Sequence, residues 1–187
     1  MIKLSDRLEV ISSYIEESDN VIDIGCDHAL LDIYLAKKYN KKYIASDLRE
    51  SVIKIAKENI EKYRVTDNIE LRCGDGLSTI DDSINTIVIA GMGFQTIIKI
   101  LSNKEKLKNI NKLIIQSNSY PEKVRKYMIK NGYYIDDESI VLDRNIYYFV
   151  TIYKRGFKKY NNVDIEIGLL KKNQISMEYL DKEIKKN

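Results

Sequence analysis

The sequence of 187 residues predicts an α/β fold with an open, doubly wound and mostly parallel sheet of seven strands. Short β-branched apolar runs alternate with segments of helical spacing through five successive units, which is typical of parallel strands joined by helices. Two more apolar runs follow with only a short polar turn between them, and they indicate a closing antiparallel hairpin. A barrel of eight strand–helix units is excluded because it needs a longer chain.

The individual elements follow from these patterns in chain order. Residues 4–17 carry apolar side chains at helical spacing and predict a leading helix. Strands are predicted at residues 21–24, 42–46, 69–73, 86–90 and 112–116, and the hairpin at 133–141 and 146–153. Helices are predicted at residues 28–39, 51–63, after Gly93, and from Pro121 to a stop at Gly132. One further helix is expected from Ile165 onward.

The last part of the chain differs in character from the rest. We expect one domain at residues 1–155 and a short helical extension at residues 156–187. Basic residues cluster around this boundary. They are Lys154, Arg155, Lys158, Lys159, Lys171 and Lys172.

The composition is that of an ordinary globular protein, with 44% hydrophobic and 32% charged residues. A net charge of +3 is too small to indicate nucleic-acid binding by itself. Cys26 and Cys73 match no zinc or disulfide spacing. No apolar run predicts a signal peptide or a membrane span, so we expect a cytoplasmic protein.

Acidic and glycine residues surround the end of the first predicted strand. In an open parallel sheet, ligands bind beyond the carboxyl ends of the strands. Asp23 and Asp27 flank Gly25, which lets a ligand approach the backbone because glycine has no Cβ. The G-x-G-x-x-G pattern of dinucleotide sites is absent, and Asp27 would repel a phosphate. These acids suit the sulfonium and ammonium groups of S-adenosylmethionine, although each could instead cap the following helix.

Three later strand ends supply the other contacts expected for such a cofactor. Asp47 lies about 20 residues past Gly25, where an acid accepts hydrogen bonds from a ribose diol. Asp75 and Gly76 follow the third strand, where Asp75 could take the adenine amino group. Gly91 ends the fourth strand, at the position nearest the transferred methyl. The alternative for each is an ordinary surface turn or helix entry.

Three residues are candidates for a direct part in catalysis. Asn118, after the fifth strand, offers an amide that can hydrogen-bond the edge of a base. Asp27 would favour a cationic product electrostatically. His28, the only histidine, could orient Asp27, touch the substrate or serve a purely structural role. No metal site is expected, because no second histidine or cysteine cluster accompanies it.

Four strand-end pieces of this sequence together carry a family resemblance. They are Asp23-Ile-Gly-Cys-Asp27-His28-Ala29, Gly74-Asp-Gly-Leu77, Ile89-Ala-Gly-Met-Gly93 and Gln116-Ser-Asn118. With these motifs the chain resembles the bacterial tRNA (adenine-N1)-methyltransferases that modify adenine 22, over nearly all of residues 1–155. It departs from the family pattern at Asp32 and Ser117, where the family has proline, and at Phe94, where the family has glycine.

The resemblance implies a fold, a cofactor and a substrate. The fold is that of a Rossmann-like class I methyltransferase, the cofactor is S-adenosylmethionine, and the methyl acceptor is N1 of an adenine in tRNA. The resemblance also implies a C-terminal helical hairpin that helps to hold tRNA, of which this chain carries about one helix. A homodimer or another chain would complete such a hairpin.

Three other functions are compatible with the sequence alone. One is methyl transfer from S-adenosylmethionine to a small molecule or a protein. Another is a nicotinamide-dependent oxidoreductase, which the missing glycines and Asp27 disfavour. The third is a tRNA-binding relative that has lost turnover through the changes at Phe94 and Ser117.

Overall fold

A computed structural model describes residues 2–169, 171 and 173–185 of the chain, and these ranges contain one seven-stranded sheet. The strands are β1 (Val21–Ile24), β2 (Tyr43–Asp47), β3 (Ile69–Cys73), β4 (Thr86–Met92), β5 (Lys112–Ser117), β6 (Tyr133–Asp143) and β7 (Ile146–Arg155). Their order is β3-β2-β1-β4-β5-β7-β6. Strands β1 to β5 are parallel, and β7 runs antiparallel to both β5 and β6. The predicted α/β sheet with its terminal hairpin is confirmed.

Helices cover both faces of the sheet. They are α1 (Asp6–Ser13), α2 (Leu30–Tyr39), α3 (Glu50–Tyr63), α4 (Phe94–Ile100), α5 (Pro121–Lys130), α6 (Asn162–Glu166) and α7 (Gln174–Ile184). Buried side chains of α1, α2 and α3 belong to one apolar cluster, and those of α4 and α5 belong to the other. Alternate residues of a strand point to opposite faces, so Val88 joins the first cluster while Ile87 and Ile89 join the second.

The direction of the chain reverses at the middle of the sheet. After β1 the chain adds β2 and β3 on one side, and it then returns to place β4 and β5 on the other. At such a switch point the loops that leave two neighbouring strands diverge, which opens a crevice at the carboxyl ends of β1 and β4. None of the helices in the described ranges is both long and apolar enough to cross a bilayer.

The end of the chain differs from the prediction of one helix from Ile165 onward. The structure instead has two helices, α6 and α7, with Gly168 between them at a φ of +105°. The backbone N–H of Leu169 donates to Glu138 Oε2 at 2.7 Å, and a Cβ at Gly168 would collide with that carboxylate. Helix α6 therefore ends before Gly168, because the backbone changes direction there to donate a hydrogen bond to the buried Glu138 on β6. Leu170 and Lys172, which the sequence placed in the helix and the basic cluster, lie outside the described residues.

Candidate active site

A cavity of about 360 Å³ opens at the crevice between β1 and β4. Its volume lies within the range of about 300–1,000 Å³ that is usual for small-molecule sites. Seven of the site residues predicted from the sequence line it, and they come from four strand ends: Asp23, Gly25, Asp27, His28, Asp47, Gly91 and Asn118. Because parallel strands end at the same edge of the sheet, residues far apart in the chain meet here.

Asp75 and Gly76 line a second cavity of about 270 Å³ beside the first. Four residues line both cavities and therefore form the boundary between them: Gly25, Asp47, Arg49 and Met92. The apolar side chain of Leu48, on the rim of the second cavity, is 63% exposed. The two cavities adjoin, and the second combines the apolar side chains of Leu48, Met92 and Ile100 with the carboxyl group of Asp75.

The loop after β1 is held tightly against the sheet. The backbone N–H groups of Gly25 and Cys26 both donate to the carbonyl of Ser46 on β2, at 2.7 and 3.0 Å. Gly25, Asp27 and Ala29 all have left-handed backbone conformations, with φ of +83°, +50° and +53°. Such conformations are strained for residues other than glycine and are common at functional sites. They turn the loop so that α2 starts beside the cavity.

Asp23 lies on the floor of the first cavity and is 6% exposed. The pKa of its carboxyl is raised to about 7, chiefly by burial and also by the nearby carboxylates of Asp47 and Asp27, while the Arg7 charge lowers it. A cation bound here would favour the ionised carboxylate over the neutral acid. The floor of the cavity is therefore suited to an ammonium group.

Asp32, in the first turn of α2, lies behind this floor. Its side chain is fully buried, and neither carboxyl oxygen has a hydrogen-bond partner among the described residues. Burial and the neighbouring Asp23 raise the pKa of Asp32 well above its usual value. Burial therefore favours the neutral acid over the carboxylate at Asp32 in the folded protein.

Asp47 ends β2 at the boundary of the two cavities. Its Oδ1 accepts hydrogen bonds from the backbone N–H and from Nε of Arg49, at 2.9 and 3.3 Å. Both bonds use the same oxygen and fix the orientation of the carboxylate. The side chain of Asp47 is therefore held in place at the boundary of the two cavities.

Arg7 and Tyr148 line the cavity but were not among the predicted site residues. Gln116, which the sequence placed with Asn118 at the end of the fifth strand, is buried behind the cavity wall. The Gln116 Oε1 atom accepts from the backbone N–H of Gly91 at 2.9 Å and from the guanidinium of Arg7. Its Nε2 donates to Asn118 Oδ1 at 3.1 Å, and Asn118 Nδ2 donates to the Gly91 carbonyl at 2.7 Å. The fully buried Gln116 thus sets the orientation of the Asn118 amide at the cavity.

One sequence signal could have identified Arg7. Arg7, Ile11 and Ile15 follow each other at intervals of four, so they share one face of the leading helical segment. Ile11 and Ile15 are fully buried. A charged residue on the buried face of a helix costs free energy unless it has a specific partner, which makes it a candidate for function.

Asp27 and His28 lie at the opening of the cavity rather than on its floor. Their side chains are 72% and 50% exposed, and His28 Nε2 is 3.7 Å from Asp27 Oδ1. The backbone carbonyl of His28 accepts a hydrogen bond from the side-chain amide of Asn59 on α3, which anchors the loop after β1 to that helix. Both side chains are thus accessible to a large substrate that approaches the edge of the sheet.

Ser117 and Phe94, two departures from the family pattern, lie next to Asn118. Ser117 Oγ donates to the carbonyl of Ser119 at 2.6 Å, and Ser119 Oγ accepts from the backbone N–H of Phe94 at 3.2 Å. Hydroxyl groups therefore hold the loop between β5 and α5 where the family has a rigid proline. This wall of the site keeps its shape through side-chain hydrogen bonds.

The predicted basic cluster is partly neutralised in the fold. Lys154 pairs with Asp136 and Lys171 pairs with Asp137, each at 2.6 Å. Lys158 Nζ lies 4.4 Å from the centre of the Tyr134 ring. Paired lysines attract a phosphate less strongly, so the cluster offers less free positive charge than the sequence suggests. Within the described ranges, no group of three or more histidine, cysteine or acidic residues could hold a metal ion.

Comparison with known proteins identifies the class and then the family. The family model for the methyltransferase domain matches residues 4–151, so the fold and the cavity belong to a methyltransferase domain. The tRNA (adenine(22)-N(1))-methyltransferase of Bacillus subtilis is 32% identical over 174 residues, which cover 90% of this chain and 73% of the relative. The chain belongs to the family of tRNA (adenine(22)-N(1))-methyltransferases.

Two solved structures resemble the whole chain. The Streptococcus pneumoniae protein Sp1610, in complex with S-adenosyl-L-methionine, superposes with a TM-score of 0.92 at 28% identity, over 98% of this chain and 89% of that one. TrmK of M. capricolum, in complex with S-adenosylhomocysteine, superposes with a TM-score of 0.86 at 30% identity, over 98% of this chain and 84% of that one.

Proposed function

We propose that this protein transfers a methyl group from S-adenosylmethionine to N1 of adenine 22 in tRNA. The observation that carries the proposal is the meeting of Asp23, Asp27 and Asp47 in one cavity, with Asn118 on its wall. Family membership supports both the cofactor and the substrate, because relatives of high coverage are a tRNA (adenine(22)-N(1))-methyltransferase and proteins crystallised with S-adenosylmethionine or its product.

The residues of the cavity fit the cofactor. S-adenosylmethionine has no phosphate, and it supplies a methyl group on a positively charged sulfur when bound. The buried Asp23 would hold the ammonium group, and Asp47 would accept from the ribose hydroxyls. Asp75 and Gly76 in the second cavity would receive the adenine ring. The missing Cβ at Gly25 makes room for the side chain of Met92, which lies between the two cavities.

The remaining site residues would position the base. Adenine N1 has its own lone pair, so correct alignment contributes more to the rate than proton removal does. Asn118 already has a fixed amide orientation and would hydrogen-bond the edge of the base against the Gly91 backbone. N1-methyladenine is cationic near neutral pH, and the carboxylate of Asp27 would favour that charge. His28 would orient Asp27 or touch the substrate at the opening.

The tRNA must expose the base before transfer, because N1 lies on its pairing edge. Extrusion of a base from its stack costs a few kcal/mol. Lys159 and the other basic residues near the end of β7 would contact phosphates, so tRNA binding should weaken as the salt concentration rises.

A homodimer and a cytoplasmic location stay predictions, and sedimentation at micromolar concentration would test the homodimer. The proposed chemistry requires no metal ion.

The experiment is transfer of labelled methyl to a tRNA transcript with adenine 22 and to the same transcript with guanine at that position. Label on the first transcript alone would support the proposal. Equal label on both would contradict adenine 22 as the acceptor. No transfer despite cofactor binding would favour one of two alternatives: a tRNA-binding protein that has lost turnover, or a methyltransferase that acts on another substrate.

A matched pair of variants tests the catalytic assignment of Asp27. Asp27→Ala should lower the transfer rate while cofactor affinity stays close to that of the wild type. Asp67→Ala, which removes an exposed carboxylate at the opposite edge of the sheet, should leave both unchanged. Full turnover in Asp27→Ala would show that this assignment is wrong.

A further inference from the structure

Tyr120 is a large aromatic side chain that the fold leaves in solvent beside the active site. It follows Asn118 by two residues, between β5 and α5, and it is 56% exposed. Asn118 lines the first cavity, whereas Tyr120 lies outside it. The backbone of Tyr120 therefore lies next to the cavity wall, at the carboxyl edge of the parallel strands.

The segment that carries Tyr120 is fixed on both sides. The backbone N–H of Asn118 donates to the carbonyl of Met92 at 2.8 Å, which joins this segment to the end of β4. The carbonyl of Tyr120 accepts from the backbone N–H groups of Lys123 and Val124 in α5, at 3.0 and 3.3 Å. Tyr120 thus has a defined place between a strand end of the site and a helix.

The backbone of Tyr120 has an unfavourable conformation. Its φ of +51° and ψ of +53° lie in the left-handed region, which a bulky residue rarely adopts. Tyr120 also precedes Pro121, and a residue before proline ordinarily has an extended backbone. Strained residues of this kind cluster at functional sites. Packing does not explain a tyrosine here, because its side chain is largely exposed.

Lys123 places a positive charge on the Tyr120 ring. Its Nζ atom lies 4.0 Å from the ring centre, and its side chain is exposed. An ammonium group can cover only one face of a ring, and it keeps N–H donors for a further partner. Proteins bind unpaired nucleotides with such a pair, because the aromatic ring stacks on the base while the cation contacts the phosphate.

We propose that Tyr120 stacks on the base next to the acceptor adenine in the tRNA chain, and that Lys123 contacts the phosphate of that nucleotide. The inference rests on the proposed function, because it takes tRNA as the substrate. Extrusion of the acceptor adenine deprives the adjacent base of a stacking neighbour, and the Tyr120 ring would replace it. Asn118 and Tyr120 would then hold two successive nucleotides, one inside the cavity and one outside.

The test measures the affinity for tRNA and, separately, for S-adenosylmethionine alone. Three tRNAs are compared: an intact one, one that lacks the base before adenine 22, and one that lacks the base after it. Each is titrated into wild type, Tyr120→Asn, Tyr120→Phe and Phe157→Ala. Asparagine tolerates the left-handed conformation, so Tyr120→Asn removes the ring without added strain. Phe157→Ala is the matched control, because it removes a ring that is 78% exposed at the opposite edge of the sheet.

Tyr120→Asn should bind intact tRNA about fivefold to 150-fold more weakly than the wild type, the range for one base stacked on an aromatic side chain. For one of the two tRNAs that lack a base, Tyr120→Asn and the wild type should agree within about twofold, because the stacked base is then missing. Tyr120→Phe keeps the ring and should match the wild type, as should Phe157→Ala. All four proteins should bind S-adenosylmethionine equally.

Two results would overturn the inference while the proposed function stands. One is that Tyr120→Asn changes the affinity for all three tRNAs by the same factor or not at all, since the ring would then contact neither neighbouring base. The other is a weaker affinity of Tyr120→Asn for S-adenosylmethionine without tRNA, which would mean that Tyr120 only maintains the cavity. Failure of the wild type to bind or methylate intact tRNA would overturn the proposed function as well.

Discussion

Arg125 and Glu138 form an ion pair that is almost completely shielded from water. Arg125 Nε donates to Glu138 Oε1 at 2.8 Å, and the two side chains are 1% and 0% exposed. The same carboxylate accepts from Thr151 Oγ1 and from the backbone N–H of Leu169. Because Arg125 Nη1 also donates to the carbonyl of Ile165, the pair bonds residues 165–169 of the extension to α5 and β6.

Removal of the acid from this pair should destabilise the protein strongly. Glu138→Ala leaves the Arg125 charge buried and uncompensated, which typically costs about 3–5 kcal/mol in the free energy of unfolding. Urea denaturation measures this loss. Lys126→Ala is the matched control, since it removes the half-exposed partner of Glu166 between the same two segments and should cost less than about 1 kcal/mol. Similar losses in both variants would contradict a special role for the buried pair.

Asn118→Ala should impair transfer more than cofactor binding. Loss of one positioned donor or acceptor at a reacting group typically lowers the rate about 10²–10³-fold. Single-turnover assays with saturating tRNA measure the rate, and calorimetry measures the cofactor affinity. Asn111→Ala, at the opposite end of β5, is the control and should match the wild type. A normal single-turnover rate in Asn118→Ala would remove this amide from the proposed mechanism.

The affinity for S-adenosylmethionine should rise with pH between about 5.5 and 7.5. Burial raises the pKa of Asp23 to about 7, and only the ionised carboxylate attracts the ammonium group. Below that pKa the affinity should fall by up to about tenfold per pH unit. The upper limit of the range avoids deprotonation of the ligand amine, since α-amino groups titrate near 8.

Asp23→Asn separates this dependence from other causes. The variant should bind S-adenosylmethionine weakly and without the rise between pH 5.5 and 7.5. His28→Ala should keep the rise, which matters because imidazoles titrate in the same range. Loss of the rise in His28→Ala alone would transfer the effect from Asp23 to the histidine.

Asp32→Asn should make the folded protein more stable at neutral pH. Burial raises the pKa of Asp32 above the value near 3.8 of the unfolded chain, so the folded state binds the extra proton in the window between the two values. The wild type therefore loses stability as pH rises through that window, by up to about 1.4 kcal/mol per pH unit.

The advantage of Asp32→Asn should shrink on acidification and be smallest near pH 4, because the pH there approaches the unfolded-state pKa of 3.8 and most of the proton linkage is lost. Urea denaturation at several pH values between 4 and 7.5 measures it. An amide that is less stable than the acid at pH 7 would contradict a neutral, unpartnered Asp32.

The strand-end residues of the site could be predicted because parallel topology determines their placement. Once the chain alternates strand and helix, the ends at Asp23, Asp47 and Gly91 must lie at one edge of the sheet. The separation into two cavities could not be predicted in this way. It depends on how the side chain of Met92 packs over Gly25, and a local sequence pattern does not predict such a contact between distant residues.

The remaining features depend on contacts between distant residues. The bond from Arg7 to Gln116 joins residues 109 positions apart, and no spacing rule covers that distance. The break between α6 and α7 depends on Glu138 as an acceptor, although Gly168 is a visible helix-breaking signal. Asp32 falls near the start of the helix predicted at residues 28–39, which does not indicate burial. Its burial follows from how α2 packs on the sheet.

The contacts of Arg7 also bear on when the site first forms during synthesis. The Tyr148 ring, whose centre lies 5.4 Å from the Arg7 guanidinium carbon, belongs to β7, the last strand in the described part of the chain to leave the ribosome. A nascent chain that ends after β5 already contains the three acids of the first cavity, yet it lacks the ring that orients the guanidinium. Arrested nascent chains should therefore complete the lining of this cavity only once β7 has emerged, so translation itself limits when the enzyme can begin to work.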